Sequence, residues 1–272
     1  MKSVKKIFSF YVNSSIHVGV STLCLVILTY AISNTLPILS VCGLVFFGTV
    51  FSYNYIKYYS FFNEKSLESK NLKAILVISV ISFVISVVCF LYLNIKAQVL
   101  AVFFALLTFL YIFPTTLFKK NLRSFSGIKI YIVSFCWAGV TLLIPLVNNG
   151  YDLTTDIGYK FLQRFLITLI LILIFEIQDL KEDDLSLKTV PQTIGIANTK
   201  KIILLLCIPF YFLEFFKIHP YTNQWIVNLI LVIIILLFTR FASPNRSKYY
   251  TLFWVEAVPI LWLVLFLLLK TN

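Results

Sequence analysis

Charge is scarce in this chain: Asp, Glu, Lys and Arg make up 12% of its 272 residues, while 60% are hydrophobic. With a mean hydropathy of +0.94, that composition excludes a soluble globular domain. Nor is there room for one, because runs of about 20 apolar residues, long enough to cross a bilayer, recur from end to end. Metal–thiolate chemistry is excluded too. The five cysteines, Cys24, Cys42, Cys89, Cys136 and Cys207, all lie inside apolar runs without ligand spacing, so they read as packing residues. The basic start, Lys2, Lys5 and Lys6, is followed by no small-residue cleavage site, and no removable leader is expected. Low-complexity segments and clear internal repeats are also missing.

What is there is a series of apolar helices. The runs are too long and continuous for barrel strands, and within lipid a helix is the other way to satisfy backbone groups. Nine spans are expected, at 14–33, 36–59, 72–93, 97–118, 128–147, 158–178, 201–217, 224–241 and 250–270. The whole chain, 1–272, reads as a single all-α integral membrane domain. Of the 23 Lys and Arg, only Lys96, Lys160, Arg164, Lys217 and Lys270 fall on the side opposite the N-terminus. That asymmetry follows the positive-inside rule. It predicts a cytoplasmic N-terminus and an outside C-terminus, in a cell inner membrane. The net charge of +12 then reflects orientation and contact with anionic lipid rather than nucleic acid.

The larger polar connections, 60–71 and 179–200, fall on the expected cytoplasmic side. The second belongs to the stretch from Phe175 to Gly195, FEIQDLKEDDLSLKTVPQTIG. Glu176, Asp179 and Asp183 are spaced three and four apart, which brings carboxylates to one helical face. Such a group suits a hard cation such as Mg²⁺, which takes oxygen ligands and shares them with substrate phosphates. A solvated helix end is the plainer reading of the same spacing. Lys188, Thr189, Val190, Pro191 and Gly195 read as a loop leading into the next span. Elsewhere, His17 reads as a hydrogen-bonded structural residue, and Glu214 with Lys217 as a local pair. Tyr53, Tyr55, Tyr58 and Tyr59 read as an interfacial aromatic belt. Glu256 is an intramembrane acid, either paired with a cation on another span or functional.

The carboxylate stretch carries a resemblance. Glu176, Asp179, Asp183, Lys188, Thr189, Val190, Pro191 and Gly195 follow, in order, the second acidic motif of the UbiA superfamily of membrane-embedded prenyltransferases. The first motif of that family reads Asn-Asp-x-x-Asp-x-x-x-Asp at the end of span two. This chain keeps the Asn as Asn54 and replaces the three Asp by Tyr55, Tyr58 and Phe62. The resemblance implies a nine-helix bundle that binds an isoprenyl diphosphate through Mg²⁺ and passes the prenyl group to an acceptor of unassigned class, in contact with membrane lipid. It implies Glu176, Asp179 and Asp183 as metal ligands, and Asp179, Asp183 and Lys119 as catalytic residues. Asn54, Lys57, Lys119, Lys120 and Arg123 would bind diphosphate, near Tyr111. Lys57 touching the diphosphate directly, or Glu64 and Glu68 acting from the loop, would offset the lost acids. A diverged, non-catalytic homologue that binds a prenyl lipid or scaffolds a membrane complex is the alternative. A transporter would need broken helices and midplane polar groups, and the span sequences are largely apolar.

Overall fold

The computed structural model describes residues 2–63, 70–112, 127–184, 187–221 and 223–270. Among them every regular element is helical. In chain order these are α1 (Lys2–Asn13), α2 (Ile16–Ile32), α3 (Leu39–Asn63), α4 (Lys70–Leu91) and α5 (Ile95–Ile112). Then come α6 (Ile128–Ala138), α7 (Ile144–Asn148), α8 (Thr155–Asp179), α9 (Val190–Phe212), α10 (Gln224–Phe241) and α11 (Val258–Leu269). A π-helical stretch, Gly139–Leu143, joins α6 to α7, and a second, Tyr250–Val255, precedes α11.

Among the described residues seven helical segments are long and apolar enough to cross a bilayer, or eight if α1 and α2, bent by 61°, form one span. That is fewer than the nine expected. The fourth expected span, 97–118, is represented by α5, whose apolar part is short, and the rest of that range lies outside the described residues. Helix ends nevertheless sort into two sets. At one end Tyr58 Oη donates to Asn13 O (2.9 Å), Gln178 Nε2 to Ser247 O (3.0 Å) and Lys200 Nζ to Arg240 O (2.9 Å). At the other, Asn94 Nδ2 donates to Val147 O (3.0 Å), Tyr151 Oη to Ser33 O (3.0 Å) and Asn223 Nδ2 to Leu269 O (2.7 Å). The segments therefore alternate in direction, as an up-and-down bundle must.

α8 is the centre. Of its most apolar stretch 72% is buried, against 22% for α3 and α4. Its Ile167, Ile170, Leu173, Ile174 and Ile177 meet Leu25 and Leu28 of α2, Ile203 and Phe210 of α9, Leu231 of α10 and Trp262 of α11. α4 sits outside and leaves Val77, Val80, Ile81 and Val84 about half exposed, a lipid-facing surface for an all-round apolar helix. Lipid supplies no hydrophobic drive for helices to associate, so close packing and polar cross-links must do it. Gly139 provides the closest approach: a Cβ there would lie 1.8 Å from Phe104 Cζ. Gly139→Ala is expected to cost at least about 1–3 kcal/mol through overpacking. Thermal unfolding of the detergent-solubilised protein would report it, and an unchanged midpoint would contradict the close contact.

The interior is more polar than the span sequences suggest. Arg164, grouped above with the outer cations, is instead buried within the bundle at 2% exposure. Its Nη1 donates to Thr29 Oγ1 (2.7 Å), Thr141 O (2.9 Å) and Leu25 O (3.0 Å). Thr141 O is available because residue 145 is proline, which has no N–H to fill the i+4 bond. A second exception is the start of α9. Val190 and Pro191 already belong to the helix, so the expected loop is shorter than supposed. Pro at the first turn costs nothing, since that N–H has no helical partner. Gly195 (φ 81°, ψ 158°) breaks the helix in a conformation that favours glycine.

Candidate functional site

The carboxylate stretch lies where α8 ends and α9 begins. Glu176 is buried at 4% exposure, and its Oε1 lies 2.9 Å from Lys129 Nζ on α6. Its Oε2 accepts from Val190 N at 3.1 Å, on the first turn of α9. A carboxylate there satisfies an N–H that the helix leaves open and complements the helix dipole. One side chain thus ties α6, α8 and α9 together.

Asp179 closes α8, and its carbonyl accepts from the amides of Glu182 and Asp183, both at 2.8 Å. The second of these is a helical i+4 bond, so Asp183 stands one turn beyond Asp179. Three acids, Glu176, Glu182 and Asp183, lie in electrostatic range of Asp179, and Lys129 acts on it with the opposite sign. The loop is fastened back by Gln192. Its Oε1 accepts from Thr189 N (2.8 Å) and its Nε2 donates to Asp183 O and Asp184 O (3.3 Å each). Lys181 Nζ reaches Asn245 Oδ1 (2.6 Å) in the connection after α10. Among the described residues no three His, Cys, Asp or Glu are grouped tightly enough to hold a metal by themselves. Glu176 is spoken for by Lys129 and Val190, while the Asp179 and Asp183 carboxylates have no hydrogen-bond or ion-pair partner among the described residues, and a divalent ion could share them with phosphate oxygens.

The same arrangement of helices occurs in a solved structure described as digeranylgeranylglyceryl phosphate synthase in membranes. The two superpose with a TM-score of 0.58 over 96% of this chain and 98% of the other, at 17% sequence identity. The fold is of the UbiA type. No protein-family profile matches the sequence, and no curated protein sequence matches it, so the likeness is one of architecture.

α3 carries Asn54 and Tyr58 toward the same end of the bundle as Asp179. Asn54 is fully buried, and among the described residues neither its Oδ1 nor its Nδ2 has a hydrogen-bond partner. Buried amides are normally satisfied, so an open one is an exception that needs a reason. Lys57 turns elsewhere: its Nζ is 3.5 Å from Asn13 O and 5.5 Å from the Tyr58 ring centroid, at the α1–α2 junction. Two of the aromatic-belt residues have inward roles. Tyr53 Oη accepts from Trp137 Nε1 (2.9 Å) and Tyr58 anchors the end of α1 by donating to Asn13 O. Lys119, Lys120, Arg123, Glu64 and Glu68 lie outside the described residues.

Lys129, Gln178 and Gln192 are part of this end of the bundle, and the sequence reading had given none of them a role. Lys129 could have been found from sequence: it opens an otherwise apolar span, where an ammonium calls for a partner. His17 behaves as expected of a structural histidine, with Nδ1 on Tyr11 Oη and Nε2 on Phe253 O, both at 2.9 Å.

Proposed function

We propose that this protein is a membrane-embedded prenyltransferase that takes an isoprenyl diphosphate and acts at the Asp179–Asp183 end of the bundle. The observation that carries the reading is the Asp179–Asp183 pair, placed one turn apart at the end of the most buried helix. The likeness in fold to a synthase of a prenylated glyceryl phosphate supports it. Asp179 and Asp183 would hold Mg²⁺, with phosphate oxygens and water completing its shell. When bound, the ion neutralises charge that develops on the departing diphosphate. Glu176 keeps the two Asp in place by holding Lys129 and the start of α9. Asn54, with both amide atoms open, reaches the diphosphate from α3, and Lys119, Lys120 and Arg123 add positive charge. The aromatic and aliphatic walls keep water from the allylic cation. Asp179 and Asp183 face the cytoplasm in the orientation set by the lysine and arginine bias.

The diverged, non-catalytic reading is favoured by one feature, the loss of acids at Tyr55, Tyr58 and Phe62. Radiolabelled isoprenyl diphosphate incubated with purified protein and a membrane extract separates the two. Transfer of label into an apolar product that retains no diphosphate supports the transferase. Prenyl-lipid binding that needs no metal and gives no product supports the homologue.

A further inference from the structure

Two carboxyl groups are buried in the interior away from the acidic end, and the fold treats them oppositely. Glu214 is met by Lys217, Gln163 and Asn228. Glu256, at 8% exposure, has no hydrogen-bond or ion-pair partner for its carboxyl among the described residues. Its backbone, by contrast, is well held. Glu256 O accepts from Ser21 Oγ of α2, and Glu256 N donates to Thr251 O (3.0 Å) across the widened π turn. Such π segments inside longer helices often mark functional positions. An unpaired acid inside a membrane bundle is costly and calls for a reason.

The surroundings supply one. The Tyr53 hydroxyl, on α3, lies in electrostatic range of the Glu256 carboxyl, which sits between the π-helical stretch and α11. It accepts from Trp137 Nε1, and its own O–H has no acceptor among the described residues. Asn54, also open, is the next residue along α3. Trp137 stands eight residues beyond Lys129 on α6, about 12 Å deeper at 1.5 Å per residue. So a buried acid without a partner and a tyrosine hydroxyl with an open donor, its oxygen held by the Trp137 indole N–H, lie on separate elements well inside the bundle. A prenyl chain is hydrocarbon and can use neither. A lipid-soluble molecule with a hydroxyl can use both, donating to Glu256 and accepting from Tyr53.

We propose that Glu256 and Tyr53 form a subsite that anchors the hydroxyl of an apolar prenyl acceptor. The inference rests on the prenyl-transfer reading of the acidic end. Both are positioning residues, since the group they hold lies deeper than the carboxylates.

Dicyclohexylcarbodiimide, an apolar reagent for buried carboxylic acids, tests the subsite without any isoprenyl diphosphate. The purified full chain in detergent is labelled, and modification of Glu256 is followed by peptide mass. The expected result is labelling that 1-naphthol slows by about tenfold or more, the worth of a hydrogen bond to a carboxyl. The methyl ether 1-methoxynaphthalene gives little protection. In Tyr53→Phe labelling persists and the protection by 1-naphthol falls several-fold. A Glu256 that never labels, or one that both compounds protect equally, overturns the subsite, leaving the acidic end to its own assay. Protection by 1-naphthol in a protein that transfers no prenyl group overturns the acceptor as occupant.

Discussion

Asp179→Asn combined with Asp183→Asn is expected to lower Mg²⁺-dependent diphosphate release by about 10²- to 10³-fold, the scale of losing a preorganised contact to a developing charge. Both substitutions remove charge and keep volume. The backbone turn should survive, because it is made by Asp179 O with the amides of Glu182 and Asp183, not by the side chains. Stability should not fall either. Glu176, Glu182 and Asp183 all act on Asp179, and Lys129 is the one cation among the described residues that opposes them, so neutralising two of these acids relieves repulsion. Loss of release at an unchanged melting temperature assigns the pair to the chemistry. Full release in the double variant would remove both residues from the mechanism.

The largest effect on stability is expected at the opposite end. Lys217 Nζ lies 2.6 Å from Glu214 Oε2 and 2.7 Å from Gln163 Oε1. Asn228 Nδ2 (3.1 Å) and Gln163 Nε2 (3.2 Å) donate to the same Glu214 oxygen. The network joins α8, α10 and the 3-10 turn after α9, and Glu214 is only 2% exposed. Lys217→Met leaves an uncompensated buried carboxylate, at a cost of about 3–5 kcal/mol. Adding Glu214→Leu removes the stranded charge, and the double variant is expected to recover most of that loss. Thermal unfolding of the two variants in detergent decides it. Equal destabilisation of both would mean that packing, not the stranded charge, sets the cost.

These two ends differ in how far they could be read from sequence. Glu214 and Lys217, three apart on a helical stretch, announced their pairing, and the order of helices followed from apolar runs and basic loops. Gln163 and Asn228, which complete that network, gave no signal, because their partners are far along the chain. Arg164 was misplaced for a related reason. Its position near a span end suggested the outer surface, whereas Leu25 O, Thr29 Oγ1 and Thr141 O, the last freed by the proline at 145, make a buried guanidinium tolerable there. At the acidic end the spacing placed Glu176 and Asp179 on α8, whereas Asp183 lies in the turn beyond it, since the helix ends at Asp179. The spacing could not show that Glu176 is taken by Lys129, a contact between α6 and α8. Glu256 was legible as an intramembrane acid, but its lack of a partner emerges only once α2, α3 and α11 are packed.

Diphosphate release by the unmodified protein tests the central claim most directly. Isoprenyl diphosphates of several chain lengths would be incubated with purified protein, with and without Mg²⁺, and again with a membrane extract supplying acceptors. The account predicts release that requires Mg²⁺ and stops on chelation. No release under any of these conditions, extract included, would contradict it.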